Sequence, residues 1–160
     1  MILHLKGILA ALVFIANTVV LVSVLLVFAL LKLLLPIKAI RVVLSQILVW
    51  IAESWIQVNT SVHRWLHGAK IVIDEMPELS KEQWYLVVAN HQTAVDIPVL
   101  QAVFNKKIPF LKFFLKQQLI WVPLLGLAWW ALDFPFMQRH SRETLAKKPH
   151  LKGKDRKSTV

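Results

Sequence analysis

From Gly7 to Leu31 the chain carries no charged side chain. At 1.5 Å per residue a helix of that length runs ~35 Å, enough to cross a hydrocarbon core of ~30 Å. Such a run makes a helix the only economical fold, because its backbone groups bond to one another and need no water. A transmembrane anchor over residues 1–35 is therefore expected. A cleaved leader is the alternative, but the run exceeds the about 7 to 15 residues of a leader's apolar region and no small-x-small site follows it. Lys6 precedes the run, whereas Lys32, Lys38 and Arg41 follow it, which favours a cytoplasmic position for what comes next.

Pro36 ends this segment, and residues 37–66 read as a second helix. Lys38, Arg41, Ser45, Glu53, Gln57, Thr60 and Arg64 recur at three- or four-residue steps, with Val49 interrupting the series between Ser45 and Glu53, opposite Val42, Val43, Ile47, Trp50, Ile51, Trp55 and Val62. The two faces suggest an amphipathic helix over residues 36–68 that lies in the headgroup region, with Trp50, Trp55 and Trp65 at the interface. Packing on a protein core is the other reading of the same pattern. His63 and His67 stand four apart, but the residues between them supply no carboxylate, and no metal site is expected.

Composition agrees with a membrane setting: 57% of residues are hydrophobic and the mean hydropathy is +0.58. The formal net charge of +10 is unevenly spread. Residues 1–60 hold four basic side chains and one acidic, residues 61–110 five of each, and residues 111–160 ten against three. Anionic headgroups and phosphate-bearing substrates suit this distribution; nucleic acid does not, because the lysines alternate with long apolar runs. There is no cysteine, which excludes a thiol nucleophile and a disulfide framework. Four glycines cannot build a phosphate-cradling loop or a dinucleotide fingerprint, and no Gly-x-Ser-x-Gly elbow occurs.

The chemistry concentrates in residues 84–100, WYLVVANHQTAVDIPVL. Leu86, Val87 and Val88 read as a buried strand ended by Asn90. Thr93 can cap a helix over residues 94–104, Asp96 suits its positive end, and Pro98 is tolerated in the first turns. The bend lets His91 and Asp96 meet, a carboxylate fixing the tautomer of an imidazole that takes a proton. An ordinary turn histidine beside a capping acid is the bland alternative. Further strands are expected at residues 71–73, 107–110 and 134–137, and the apolar residues 119–132, broken by Pro123 and Gly126, are too short to span.

Asn90-His91 followed by Asp96 resembles the first signature block of the phospholipid and glycerol acyltransferase superfamily, of the lysophosphatidic acid acyltransferase kind. Phe114 to Leu119, Trp121-Val122-Pro123, Gly126 and Phe136-Met137-Gln138-Arg139 follow in that family's order. The wording is most similar to bacterial YihG-type acyltransferases. The resemblance implies an α/β acyltransferase-like partial sheet over residues 69–140, preceded by the two helices and followed by a basic tail over residues 141–160. It implies transfer of a fatty acyl group from acyl-CoA or acyl carrier protein to the hydroxyl of a lysophospholipid or glycerol phosphate, with no cofactor beyond that co-substrate. His91 would be the general base and Asp96 its orienter, while Arg139, Lys116 and Asn90 would bind substrate; for Lys116 a plain surface lysine is the favoured alternative. The bacterial inner membrane, with the catalytic side cytoplasmic, is the implied location.

Two departures stand out. Asp133 occupies the place of the second block's glycine, and Met137 that of its isoleucine. The third block, Phe-Pro-Glu-Gly-Thr-Arg in typical members, has no counterpart, nor has a fourth. The expectation is an amino-terminal portion or shortened relative with little or no activity alone. A silent membrane protein serving as a lipid- or partner-binding module is the competing function.

Overall fold

The computed structural model describes residues 2–68, 70–90, 92–93 and 95–138, without the side chains of Ile2, Leu3 and His67. The expected tail over residues 141–160 lies outside the described residues. The chain divides into two compact units, Met1–Leu111 and Lys112–Val160.

The first unit is built on two helices, α1 (Ile2–Leu34) and α2 (Lys38–His67). Both are long and apolar enough to cross a membrane by length and composition. Pro36 ends α1, because the residue before a proline is pushed out of the helical region. Gly68 ends α2 by adopting φ 62°, its N–H bonding to the Arg64 carbonyl at 3.0 Å. The connection is so short that α2 folds back along α1, and the two make the most extensive element contact in the chain.

Polar groups fix how these helices pair. Asn17 Nδ2 donates to Asn59 Oδ1 at 3.0 Å and to the Trp55 carbonyl at 3.2 Å. Trp55 Nε1 donates to Thr18 Oγ1 at 3.0 Å, and that hydroxyl donates to the Phe14 carbonyl. The Trp55 ring also meets Phe14 edge-on, centroids 5.5 Å apart. Trp55 therefore faces α1 and not the interface expected for it: an indole N–H out of water requires a partner, and Thr18 supplies one. Trp50 and Trp65 remain exposed.

On α2 the covered stripe is Leu44, Leu48, Ile51, Ala52 and Ile56, spaced by three or four residues as one face of a helix must be. Val42, Val43 and Trp50, expected on a single apolar face, point outward. The helix thus has apolar residues on two sides, one set against protein and one exposed. Glu53 lies at the edge of the covered stripe, 8% exposed. Its carboxylate is 3.5 Å from Lys81 Nζ, and its backbone carbonyl accepts a bond from Asn105 Nδ2 at 3.1 Å. The loop bearing Lys81 is held by Tyr85, whose hydroxyl accepts the Ser80 N–H and donates to Gln83.

The third helix, α3 (Asp96–Phe104), packs on α2. It ends in a turn in which Lys106 takes φ 63° and the N–H groups of Lys107 and Ile108 return to the Phe104 carbonyl. That turn replaces the strand expected at residues 107–110 and buries Ile108. Residues 71–73 and 86–88 also form no strand. Leu86 and Val88, where burial was expected, are 82% and 86% exposed, and Trp84 before them is 93% exposed. β-Branched side chains favour an extended backbone, but a strand exists only through a ladder, and no described segment pairs with these residues.

The second unit holds the chain's sheet. β1 (Leu115–Lys116) pairs in parallel with β2 (Phe136–Met137), Leu115 opposite Phe136 and Lys116 opposite Met137. Parallel strands need a crossover, here a 3₁₀ turn (Gln117–Trp121) followed by α4 (Leu125–Ala131). Leu124, at φ 62° and ψ −54° with the Leu125 N–H bonded to the Pro123 carbonyl at 2.7 Å, makes a γ-turn between them. Gly126 follows because a Cβ there would collide with the Ile120 carbonyl. Two bonds close α4, Asp133 N–H to the Trp130 carbonyl and Phe134 N–H to the Trp129 carbonyl, with Asp133 left-handed at φ 57°. This is the Schellman arrangement, and its left-handed position is the one glycine prefers. Asp133 fills it because aspartate tolerates that conformation better than most residues.

Two outcomes follow for stability. Asn17→Ala, which strips Asn59 of its partner between the helices, is expected to cost about 1–3 kcal/mol in thermal unfolding followed by circular dichroism in detergent. Asp133→Gly should be at least as stable as wild type, whereas Asp133→Val should lose about 1–2 kcal/mol, because a β-branched side chain resists positive φ.

Candidate active site

The turn before α3 is organised by one carboxylate. Asp96 Oδ2 accepts the N–H of Gln92 at 2.7 Å and that of Thr93 at 2.6 Å, and Oδ1 accepts the Thr93 hydroxyl at 3.2 Å. The Asp96 N–H returns to the Thr93 carbonyl at 3.2 Å. The helix therefore begins at Asp96, two residues later than expected, and Thr93 does not cap it. The roles are reversed: the acid on the first turn reaches back to the loop. Charge explains the preference, since bonds to an ionised acceptor are stronger than the neutral bond a threonine hydroxyl makes. The positive end of the helix dipole favours the same carboxylate.

A carboxylate offers about four acceptor directions, so these three bonds do not exhaust it. His91 and Arg139 lie outside the described residues. Asn90 is exposed at the end of the extended segment. Lys116 lies in the second unit, exposed on β1 in register with Met137. The proximity of Asp96 to the backbone of Gln92 and Thr93 is thus the part of the site that the described residues define. Sequence reasoning anticipated an acid suited to the exposed N–H groups of a helix start but not which amides it meets, since a backbone donor leaves no residue-type signal. The three-residue spacing from Thr93 to Asp96 was the available clue.

Beside this turn, within the first unit, is a cavity of about 340 Å³ between α2 and α3. Val95, Pro98 and Val99 form its wall nearest the turn, and Trp55 and Ile56 line it from α2. Asn59, His63 and Arg64 supply polar groups. Asn59 Nδ2 is buried with no hydrogen-bond partner among the described residues. Its size is within the range of small-ligand pockets, and its mixture of mainly apolar walls with a few polar groups suits an amphiphile. Among the described residues no three His, Asp or Glu side chains gather as metal ligands would.

A model of the Acyltransferase family matches residues 70–157, over half of the chain. The match covers the turn, α3 and the two-stranded sheet, and the chain belongs to that family. Membership brings acyl transfer in lipid metabolism as its general activity. Neither a curated protein nor a solved structure matches the chain.

Asp96→Ala should raise amide hydrogen exchange at Gln92 and Thr93 by about tenfold or more, given about 1.5–3 kcal/mol for hydrogen bonds to a charged group. Asp96→Asn keeps one acceptor oxygen but no charge and should retain only part of that protection.

Proposed function

We propose that this chain carries the base of a membrane-associated acyltransferase that moves a fatty acyl group from acyl-CoA or acyl carrier protein to the hydroxyl of a lysophospholipid or glycerol phosphate. The observation that carries this reading is the Asp96 carboxylate holding the two backbone amides that follow His91. A turn fixed in this way restricts where the preceding imidazole can go, which is the requirement for general base chemistry.

His91 takes the hydroxyl proton as the substrate oxygen attacks the thioester carbonyl. The C–S bond breaks, the thiolate leaves and takes the proton back from His91, and the ester forms without an acyl-enzyme. Asp96 orients the imidazole and stabilises its protonated form. Arg139 binds the acceptor phosphate, with Lys116 and Asn90 as further substrate contacts; a guanidinium can grip phosphate through two parallel bonds. The apolar cavity beside Val95 and Pro98 receives hydrocarbon. The exposed apolar residues of α1 and α2 support association with a membrane, and the basic residues after α1 support a cytoplasmic catalytic side. The bacterial inner membrane and kinship with the YihG-type enzymes belong to the same reading.

A second reading, a lipid- or partner-binding module without turnover, is favoured by one observation. Trp84, Leu86 and Val88 stand exposed with no partner strand among the described residues, directly before the turn.

Radiolabelled acyl transfer by the purified 160-residue chain in detergent decides between them. Transfer that falls about 10²- to 10⁴-fold in His91→Ala would establish the enzyme and show that this chain is active on its own, against the expectation set by the missing third block. Transfer unchanged by His91→Ala would overturn it, and lysophospholipid binding with no transfer in either protein would establish the module.

A further inference from the structure

The cavity between α2 and α3 has a charged end and an apolar end, and the packing of the two helices fixes which lies at the turn. Asn105, just past α3, bonds to the Glu53 carbonyl, and a small void beside it is lined by Glu53, Ile56, Gln101 and Phe104. Counting ten residues back from Asn105 reaches Val95, and ten residues on from Glu53 reaches His63, each about 15 Å at 1.5 Å per residue. Val95 and His63 both line the cavity, so α3 runs against α2 in the opposite sense. The start of α3, with the turn that Asp96 holds, is level with the last turns of α2.

Along α2 the cavity meets Arg64, Thr60 and Ile56, four residues apart and therefore on one face. Each step is about 6 Å. A cation comes first, at the end beside the turn; a hydroxyl follows one turn further in; hydrocarbon comes last, where Phe14 and Trp55 join Ile56. Asn59 adds a buried amide donor with no partner among the described residues. From α3 the lining is apolar except for Gln101. No acidic side chain lines the cavity, and Arg64 has no ion pair among the described residues. The positive charge of Arg64 is thus unanswered within the cavity.

Both substrates of the proposed reaction carry a hydrocarbon chain and a phosphate, but at different separations from the reacting atoms. In a lysophospholipid the carbon bearing the phosphate can be the neighbour of the carbon bearing the free hydroxyl, and the chain is esterified to the same glycerol. In an acyl thioester the whole pantetheine arm stands between the reacting carbonyl and the nearest phosphate. A cation at the end where a hydroxyl must meet His91, and about two helical turns from hydrocarbon, matches the lysophospholipid. Glycerol phosphate has no chain to fill the apolar end.

We infer that this cavity holds the acyl acceptor and that Arg64 is the residue that selects a single-chain acceptor with an anionic head. Its guanidinium takes the phosphate, the Thr60 hydroxyl donates to the ester carbonyl, and the chain runs past Val99 toward Ile56 and Trp55. Arg64 is a phosphate contact in addition to the one proposed for Arg139. The inference rests on the acyltransferase reading for placing the acceptor hydroxyl at the turn, whereas the cavity's preference for a charged head is a matter of binding alone.

The test is binding to the full chain in a non-ionic detergent, without acyl donor, of radiolabelled 1-acyl-glycerol 3-phosphate and of the monoacylglycerol with the same chain. Arg64→Gln is expected to weaken the phosphate lipid about tenfold or more, the scale of a lost charge-assisted bond, and to leave the monoacylglycerol unchanged. Val99→Trp, at a position 38% exposed on the cavity wall, should weaken both lipids. Arg41→Gln, an α2 cation outside this cavity, should weaken neither, and millimolar glycerol phosphate should not compete. Unchanged phosphate-lipid binding in Arg64→Gln would overturn the inference, as would an equal loss for both lipids, which is what a purely structural role at the end of α2 produces. An equal loss in Arg41→Gln would show diffuse attraction instead, unchanged binding in Val99→Trp would put the chain elsewhere, and displacement by acyl-CoA with the same Arg64 dependence would give the cavity to the donor. Since no transfer is read, an inactive chain that binds in the expected pattern leaves the site standing and removes only the enzymatic reading.

Discussion

Glu53 is the point on which the first unit turns. A carboxylate largely removed from water is costly unless its charge is answered, and Lys81 answers it at 3.5 Å. The Asn105 side chain adds a bond to the backbone carbonyl of the same residue. One helical turn thus receives the loop before the extended segment and the turn after α3. Because α1 is keyed to α2 through Asn17, Thr18, Trp55 and Asn59, one helix, α2, serves as the spine for everything else in that unit. Its two apolar sides have separate jobs, one covered by protein and the other left outward.

The helices were legible in the sequence for simple reasons. An uncharged run with a proline after it admits few alternatives, and Gly68 marks the end of α2 by a conformation that glycine adopts at no steric cost. The strands were legible only where the chain supplies both partners. Phe136 and Met137 find Leu115 and Lys116, whereas residues 86–88 have the right side chains and no described neighbour to bond with. Propensity describes a residue, but a ladder is a property of two segments. Residues 107–110 failed for a local reason, the positive φ of Lys106 turning the chain back on α3.

At the site, residue types pointed to Asp96, while its hydrogen bonds had to come from the coordinates. The acid was expected at a helix start, and it stands there bonded to the backbone of Gln92 and Thr93. A similar lesson comes from Asp133. As a letter it is a departure from the glycine of the resembling block, yet in the fold it occupies the left-handed position for which that glycine is suited, so the helix ends as it would with glycine.

The bare row of Trp84, Leu86 and Val88 has a consequence for how the protein must be kept. Apolar backbone that pairs with no strand among the described residues is a template on which a second polypeptide can add, and encounters between copies grow with the square of concentration. Lys81 and Glu82 flank the row on one side, the sort of charge that slows such growth without abolishing it. Dilution and a mild surfactant are therefore expected to hold down self-association through this row.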